Sequence, residues 1–472
     1  MHAANVNMSS PVIPALEIDL DLIRRFDGRG PRYTSYPTAD RFVESFDAEA
    51  YQSWLARRNI GGIARPLALY LHLPFCSTLC FYCGCNKIVT RDRSKGETYL
   101  KYLDEEMALQ ASLLGGDNKV RQMHWGGGTP NFFTIEQVSA LMGRLRDRFE
   151  FDPAGEYAIE MDPRAANAEY VAGLAKLGFN RMSVGVQDFD ADVQRAVHRI
   201  QSEAETLEVI DAARANGFTG INVDLIYGLP KQTLVSFERT LKRVIEVGPD
   251  RIAVYNYAHI PSLFKPQQRI HEADLPSPDT RLKLLTLAIS LLTAAGYQYI
   301  GMDHFSKSDD GLAVAQRKGL LHRNFQGYST HADCDLLALG VSAIGNIGPT
   351  YSQNHRSIDD YYHTLDRGEL PVMRGLELSA DDLLRRAVIG GLMCNFALDK
   401  ESFAIAYLID FDKYFAPELA ELREMEELGM VELKPHEIRV TAKGRLLVRN
   451  ICMLFDRYLR QDQERRRYSR VI

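Results

Sequence analysis

Four of the seven cysteines in this 472-residue chain lie within ten residues of one another. They follow a short apolar run and are separated by three, two and one residues: Cys76, Cys80, Cys83 and Cys85. Thiolates spaced this closely can converge on one small inorganic centre, and iron–sulfur clusters are held by such cysteines. The spacing favours a cluster, so we expect the chemistry of the protein at this point of the chain.

Zinc binding and disulfide bonds are the two alternatives for these thiols. A structural zinc site usually draws its ligands from two separate knuckles, often with histidine. The remaining cysteines are isolated from one another: Cys334, Cys394 and Cys452. Disulfides rarely persist in reducing compartments, and the N-terminus shows no secretory signal pattern. Both alternatives are less favoured than a cluster, although the spacing alone excludes neither.

Composition and charge narrow the class of protein. The chain has 46% hydrophobic and 25% charged residues and a formal net charge of -6, which is ordinary for a globular protein and gives no reason to expect a nucleic-acid partner. Its longest apolar stretches, residues 67–74 and 336–344, are too short to cross a bilayer. We therefore expect a cytoplasmic protein without a membrane span.

The elements that position the cysteines follow an alternating pattern. Short β-rich runs alternate with amphipathic helical stretches, which is typical of βα units and a parallel sheet. The predicted strands cover residues 67–73, 120–125, 157–161, 181–187, 220–227 and 251–258, and the predicted helices cover residues 96–114, 134–149, 203–216 and 234–247. Six such units indicate an α/β fold, an incomplete (β/α)6 barrel, when compared with the eight units of a full barrel.

Functional groups of parallel barrels gather at the C-terminal ends of the strands. The cysteine run follows the first predicted strand, and a polar or glycine-rich run follows each of the others: residues 126–130, 160–164, 185–188, 224–230 and 256–259. Any single run could be simple turn chemistry. Together they are expected to line one mouth of the barrel.

Two appendages flank the barrel domain, which we place at residues 51–370. The first 50 residues are expected to form an extended N-terminal arm. Residues 371–472 are expected to form a small, mainly helical, winged domain, with a helix over 380–393 capped by Ser379 and short strands near 430–433 and 438–441. No basic stripe precedes Arg465, Arg466 and Arg467, so packing is favoured over nucleic-acid binding.

The run Cys76-x3-Cys80-x2-Cys83, with Tyr82 before its third cysteine, resembles the motif of the radical S-adenosylmethionine enzymes. The resemblance implies that the three cysteines hold three irons of a [4Fe-4S] cluster. The fourth iron then binds the amino and carboxylate groups of S-adenosylmethionine, which is cleaved to a 5′-deoxyadenosyl radical. Cys85 is by this resemblance not a ligand.

Four further stretches resemble the oxygen-independent coproporphyrinogen III oxidases, and the likeness covers nearly the whole chain: residues 30–38, 178–189, 224–233 and 321–328. It also reaches the closing residues 469–472. It implies that the propionates on rings A and B of coproporphyrinogen III become vinyl groups, giving protoporphyrinogen IX for haem biosynthesis. Two S-adenosylmethionine molecules would be consumed per product. An electron donor such as a flavodoxin-type protein and a monomeric state are also expected.

The same resemblance implies the residues that bind the cofactor. Those around the cluster-bound S-adenosylmethionine are Tyr70, Gly127, Glu160 and Ile344. Those around a second S-adenosylmethionine are Tyr82, Gly128, Thr129, Gln187, Arg199, Asp224 and Ala258. The second set could also mark part of the space that the substrate uses.

The predicted arm carries groups that a tetrapyrrole with four propionates needs, namely arginine forks and aromatic faces. They are Arg24, Arg25, Arg29, Arg32, Tyr33 and Tyr36. A solvated arm packed by its tyrosines is the alternative. Four histidines stay unassigned: His259, His304, His322 and His331.

A related group of haem chaperones offers an alternative function. Those relatives generally lack the long arm and carry phenylalanine at the position of Cys85, so these two features favour the oxidase. Another radical S-adenosylmethionine enzyme, with a substrate that is not a porphyrinogen, is the remaining alternative. The cysteine motif alone does not separate these functions.

Overall fold

The computed structural model describes residues 16–58 and 65–461. The strands in chain order are β1 (Leu67–Leu73), β2 (Phe75–Cys76), β3 (Ile88–Val89), β4 (Lys119–Gly127), β5 (Glu150–Met161), β6 (Arg181–Gln187), β7 (Gly220–Tyr227), β8 (Arg251–Asn256), β9 (Gln298–Gly301), β10 (His304–Ser306), β11 (His322–Asn324), β12 (Gly327–Ser329), β13 (Asp335–Leu339), β14 (Ile344–Ile347), β15 (Thr350–Asn354), β16 (Val372–Glu377), β17 (Ala397–Asp399), β18 (Val431–Leu433) and β19 (Glu437–Val440).

The α-helices in chain order are α1 (Leu20–Phe26), α2 (Ala48–Arg57), α3 (Arg93–Ser112), α4 (Ile135–Arg148), α5 (Ala168–Lys176), α6 (Ala191–Ala196), α7 (Glu203–Ala215), α8 (Leu234–Val247), α9 (Pro278–Ala294), α10 (Gly311–Arg317), α11 (Ile358–Asp366), α12 (Ala380–Asn395), α13 (Lys400–Tyr407), α14 (Phe411–Tyr414), α15 (Ala416–Glu427), α16 (Val448–Leu454) and α17 (Arg457–Gln461). The basic run at residues 465–467 and the closing residues 469–472 lie outside the described residues.

The six predicted βα units form the centre of one sheet. Strands β1, β4, β5, β6, β7 and β8 are neighbours in that order, and each pairs with the next in parallel. Parallel neighbours need a crossover connection, which the intervening helices supply. The predicted fold class, an incomplete six-unit barrel, is therefore confirmed.

Apolar and polar side chains alternate along β1, so one face of the strand packs in the core and the other faces the site. Its four leucines, Leu67, Leu69, Leu71 and Leu73, are at most 1% exposed. Each contributes about 2 kcal/mol by burial. Because successive side chains of a strand point to opposite faces, Tyr70 and His72 lie on the face opposite the leucines. Register places Tyr70 opposite His124 of β4.

The sheet extends beyond the six predicted units on both sides. Strand β13 pairs with β1 in parallel, and β14, β15 and β16 follow it in antiparallel order. Strands β10 and β9 continue the other side. These added strands are three to six residues long, so they present too little hydrophobic periodicity for prediction from the sequence.

The prediction of an extended arm over the first 50 residues was wrong for α1 and for the first three residues of α2. Helices α1 and α2 form there, and the side chains of Asp19 and Asp47 accept hydrogen bonds from their first-turn backbone N–H groups. Helix α2 buries Tyr51 and Leu55 against the core. The segment also bridges to the large sheet, where Val43 pairs with Gly375 of β16.

The C-terminal region contains the predicted capped helix and short strands. Ser379 forms a capping box with Asp382 at the start of α12. Strands β17, β19 and β18 form a small antiparallel sheet in that order. The domain boundaries near residues 50 and 370 stay predictions. In the part of the chain that the structure describes, every helix is too short or too polar to span a membrane.

Candidate active site

The cysteine loop begins where β1 ends, and it is closed at its base by backbone hydrogen bonds. The Ile88 N–H group donates to the Pro74 carbonyl oxygen over 2.7 Å, and the Thr90 N–H group donates to the Cys76 carbonyl oxygen over 2.9 Å. These bonds pair β2 with β3 in parallel. The loop therefore presents its thiols from a fixed base at the C-terminal end of β1.

The glycine run after β4 is joined to the entrance of this loop. The Gly128 N–H group donates to the Leu73 carbonyl oxygen over 2.8 Å, and the Thr129 N–H group donates to the Phe75 carbonyl oxygen over 2.9 Å. A Cβ atom on Gly128 would lie 2.5 Å from the Pro74 carbonyl carbon, so only glycine permits this approach. The Thr129 hydroxyl donates to the Cys76 sulfur over 3.4 Å.

Three cationic side chains lie close to the cysteine loop, where they can balance the negative charge of thiolates. Nη2 of Arg164 lies 3.7 Å from the Cys80 sulfur, and Nη1 of Arg199 lies 3.6 Å from it. The Lys87 ammonium donates to the Cys83 carbonyl oxygen over 3.1 Å. Three thiols from one loop, with positive charge against them, fit an iron–sulfur cluster in donor type and in electrostatics.

The Cys85 side chain is hydrogen-bonded to the side chain of Cys83. The hydrogen bond from the Cys85 thiol is the largest cause that lowers the pKa of Cys83 to about 6. The same bond raises the pKa of Cys85 well above its usual range. Cys85 therefore acts as the donor and Cys83 as the acceptor. The assignment of Cys76, Cys80 and Cys83 as the ligands stays a prediction.

Three of the four residues predicted around the cluster-bound cofactor belong to one network. The Tyr70 hydroxyl lies 3.1 Å from Nδ1 of His72, and the Tyr70 ring stacks on His124 at 6.0 Å. Nε2 of His124 lies 3.0 Å from one oxygen of Glu160, whose other oxygen accepts from the Gly127 N–H group over 3.3 Å. Sequence analysis did not identify His72 and His124 as site residues. Their only signal was their place near Tyr70, His72 two residues further along β1 and His124 opposite it on β4.

Asp224 lies on β7, two residues beyond the level of Glu160 in the strand register. Its two carboxylate oxygens accept hydrogen bonds of 2.8 Å from the Ser183 hydroxyl and the Asn222 amide. Burial, reinforced by the negative charge of Glu160, raises the pKa of Asp224 to about 6. The side chain therefore titrates close to neutrality.

Arg199 is 7% exposed and is fixed by three groups. Its Nη2 donates to the Gly185 carbonyl oxygen over 2.7 Å, and its Nη1 lies 3.3 Å from Asp162 as well as close to Cys80. Gln187 has a φ of 67° at the end of β6, a left-handed conformation that is costly for a residue other than glycine. The side-chain amide of Gln187 lies beside Gly185, and so does the guanidinium of Arg199.

A buried glutamine links two further predicted residues. The amide of Gln267, which is 2% exposed, donates to the carbonyl oxygens of Tyr82 and Ala258 over 3.0 and 3.1 Å. The sequence carried no signal for Gln267, which lies in a short 3-10 turn. Ile344 belongs to a different group, since it lies on β14 and packs with Phe325 against an apolar cluster.

A cavity of about 170 Å³ lies inside the barrel beneath this network. Its lining includes the acidic pair Glu160 and Asp224, together with His124. The site therefore borders a space that can admit part of a ligand.

Comparisons with known proteins identify the family of this chain. Residues 70–244 match the family model described as the Radical SAM superfamily, and residues 378–447 match the HemN C-terminal domain. Three relatives are each named oxygen-independent coproporphyrinogen III oxidase. Those of Escherichia coli and Pseudomonas aeruginosa are both 49% identical over 98% of this chain and 100% of their own length, and that of Synechocystis is 42% identical over 97% and 99%.

The solved structure of the Escherichia coli enzyme, described as coproporphyrinogen III oxidase (HemN) and a radical SAM enzyme, also matches. The TM-score is 0.90 at 49% identity, and the match covers 94% of this chain and 100% of that one. Both the barrel and the C-terminal region therefore have counterparts in one protein. This chain belongs to the family of oxygen-independent coproporphyrinogen III oxidases, within the radical SAM superfamily.

Proposed function

We propose that this chain converts coproporphyrinogen III to protoporphyrinogen IX without oxygen, as a step of haem biosynthesis. Each of the propionates on rings A and B loses one hydrogen atom, one electron and carbon dioxide, and a vinyl group remains. The observation that carries the proposal is the three-thiol loop joined to the Tyr70–Glu160 network. It stands in a chain whose relatives of that name align over nearly its full length.

Membership of the radical SAM superfamily implies a [4Fe-4S] cluster and S-adenosylmethionine. When bound, this pair supplies the 5′-deoxyadenosyl radical that removes the hydrogen atom. Cys76, Cys80 and Cys83 are the proposed ligands. Arg164 and Arg199 stabilise negative charge beside Cys80. The hydrogen bonds at the base of the loop hold the three thiols in register with β1.

Tyr70, Gly127, Glu160 and Ile344 are the proposed residues around the cluster-bound cosubstrate. His124 and the Gly127 N–H group each bind one oxygen of Glu160, so this carboxylate is oriented before a ligand arrives. Its remaining lone pairs can accept from a ribose hydroxyl or an ammonium group. Ile344 offers an apolar contact from β14.

Two S-adenosylmethionine molecules are consumed per product, one for each decarboxylation. We also propose that a second molecule binds at the other predicted residues: Tyr82, Gly128, Thr129, Gln187, Arg199, Asp224 and Ala258. Asp224 supplies negative charge close to Glu160, which suits a cationic cosubstrate. The link through Gln267 holds Tyr82 and Ala258 close to one another, which supports their common assignment. The substrate itself is the alternative occupant of the space around these residues.

The remaining parts of the proposal concern partners and location. A flavodoxin-type protein is the proposed electron donor, the chain acts as a monomer, and it works in the cytoplasm. All seven cysteines are free thiols, which supports a reducing compartment.

The test is an anaerobic assay of the reconstituted protein with a reductant, S-adenosylmethionine and coproporphyrinogen III. We expect protoporphyrinogen IX together with two molecules of 5′-deoxyadenosine per product. Replacing Cys80 by alanine should abolish both, whereas Cys452→Ala, in α16 of the C-terminal region, serves as the matched control. Haem binding without decarboxylation would instead indicate a chaperone. 5′-Deoxyadenosine formed no faster with coproporphyrinogen III than without it, and with no porphyrin product, would indicate another substrate.

A further inference from the structure

A second cavity, of about 300 Å³, lies between the N-terminal segment, the β11–β12 hairpin and α12. Its volume is at the lower end of the roughly 300–1,000 Å³ of small-molecule sites. Ala68, Asn324 and Leu336 line both this cavity and the cavity inside the barrel. The two spaces therefore adjoin, and the second one extends the space beneath the cofactor network.

Of the three arginines that line this second cavity, Arg65 is exposed, whereas Arg323 and Arg386 are half-buried and have no anionic partner among the described residues. Nε and Nη1 of Arg323 are buried without a hydrogen-bond partner, and its guanidinium lies 4.7 Å over the ring of Tyr328. The guanidinium of Arg386 lies 6.0 Å from the ring centroid of Tyr351. An arginine is always charged, and a charge enclosed without a partner is costly. That cost falls on the two buried nitrogens of Arg323; together the two guanidiniums offer an anion two unpaired partners.

The other titratable groups of the cavity do not supply that anion. Asp335, the one carboxylate among the lining residues, already accepts from Nε of Arg58 over 3.2 Å and from the Gly348 N–H group over 3.0 Å. Burial, together with the charge of Arg386, lowers the pKa of His322 to about 4, so this imidazole is neutral at physiological pH. The net charge of the cavity is positive.

Two arginines of the N-terminal segment, Arg24 and Arg32, already have carboxylate partners. Arg32 forms an ion pair with Asp303, and Arg24 lies 3.5 Å from Asp279. The segment instead contributes the buried rings of Tyr33 and Tyr36 to the cavity. The aromatic faces expected there are present, but the positive charge beside them comes from the hairpin and from α12.

We propose that Arg323 and Arg386 form a carboxylate-binding subsite for the two propionates that the enzyme retains, those on rings C and D of the porphyrinogen. This inference rests on the proposed function. The two retained propionates flank the same bridging carbon, so one cavity with two guanidiniums suits them. The subsite adjoins the cavity that holds Glu160 and Asp224, so an anchored macrocycle can extend a reacting propionate toward the cofactors.

The test compares Arg323→Gln, Arg386→Gln and the double variant with Arg423→Gln, which removes a charge from the exposed face of α15. We expect each cavity variant to raise the KM for coproporphyrinogen III at least about tenfold, the change expected when a charge-assisted hydrogen bond is lost. Arg323→Lys should restore part of that loss. Cluster content and the slow 5′-deoxyadenosine formation without substrate should match the wild type.

A modified substrate separates anchoring from a general effect of the substitutions. Coproporphyrinogen III esterified on the C and D propionates should bind the wild type at least about tenfold more weakly, and the double variant should not distinguish it from the free acid. An unchanged KM in the double variant overturns the subsite, as does equal binding of ester and acid by the wild type. The second outcome needs no variant to fold. Absence of any porphyrin product from the wild type would instead count against the proposed function.

Discussion

Among single side chains, Cys85 differs from its three cysteine neighbours in what surrounds it. Arginine or threonine side chains contact the sulfurs of Cys76 and Cys80, whereas Cys85 donates to Cys83. A thiol that donates to a ligand sulfur tunes the ligand and does not replace it. We predict on this basis that Cys76, Cys80 and Cys83 are the ligands and that Cys85 is their neighbour.

The first prediction concerns this division. Cys85→Ser should keep the iron and sulfide content of the reconstituted protein, because three thiolates remain and the hydroxyl can still donate to Cys83. Cys83→Ser should lose the cluster. Iron analysis and absorbance of both anaerobic proteins check the outcome. Loss of iron from Cys85→Ser would refute the three-ligand assignment.

The second prediction follows from the pKa of Asp224, which burial raises to about 6. The carboxylate is charged above that value and neutral below it, so binding of a cationic cosubstrate should weaken as the pH falls through 6. We expect kcat/KM for S-adenosylmethionine to decline by up to about tenfold per pH unit there. The kcat/KM of the Asp224→Asn variant for S-adenosylmethionine should be low and nearly independent of pH.

Ser183→Ala provides the matched control for this titration. The Ser183 hydroxyl stabilises the charged carboxylate over 2.8 Å, so its removal should move the decline to higher pH. Rates of 5′-deoxyadenosine formation between about pH 5 and 8 measure both variants. Identical profiles for wild type and Asp224→Asn would show that Asp224 plays no such part.

Among the elements, the end of β4 and the start of the cysteine loop depend on one another. The third prediction is that Gly128→Ala loses the cluster while the barrel stays folded. A Cβ atom there would lie 2.5 Å from the backbone of Pro74, and backbone cannot rotate away as a side chain can. Iron content and circular dichroism together measure this outcome.

Gly143→Ala in α4 is the control for this substitution, because nothing lies within 4 Å of its added Cβ atom. Alanine is favoured over glycine inside a helix by up to about 1 kcal/mol, so this variant should be at least as stable as the wild type and keep its iron. Equal iron content in Gly128→Ala would show that the loop can move without losing its ligands.

Sequence patterns were sufficient to predict the bounds of those strands and helices that carry long periodic runs of apolar residues. Strand β1, with alternate leucines, and helix α8, with its Thr233 cap, have the predicted bounds. Strands β9 to β16 are short and polar at many positions, and their pairing depends on neighbours distant in sequence. A preference that arises from tertiary contacts leaves little local signal.

The candidate site was predictable where a motif carried it and not elsewhere. The cysteines and the glycine run were identified from type and spacing. His124 and Gln267 were not, because a lone histidine in a strand and a glutamine in a turn look ordinary until folding places them against Glu160 and Tyr82. The arginines of the second cavity were missed for the same reason.

At the scale of the whole molecule, the N-terminal segment and the C-terminal region hold each other. The Tyr33 hydroxyl donates to the Asp456 carboxylate over 3.0 Å, and Nε of Arg449 donates to the Pro31 carbonyl oxygen over 2.9 Å. Both contacts are buried and join residues more than four hundred positions apart. The segment is thus part of the folded body.

The fourth prediction measures this contact. Tyr33→Phe should lower the free energy of unfolding by about 1–2 kcal/mol, because a buried carboxylate loses one of its donors. Tyr102→Phe removes a comparable hydroxyl from the exposed Asp366 and should change stability by less than about 0.5 kcal/mol. Urea denaturation of both variants provides the comparison. Equal losses of stability in the two variants would show that the buried Tyr33–Asp456 hydrogen bond contributes no more than the exposed Tyr102–Asp366 one.

The position of α12 in the chain orders the assembly of the substrate space during synthesis. All twelve strands of the large sheet end by Glu377, and α12, which carries Arg386, begins at Ala380. A chain released from the ribosome between these points therefore contains the complete cysteine loop but lacks one wall of the second cavity. The machinery that generates a radical is encoded before the wall that would hold a substrate for it.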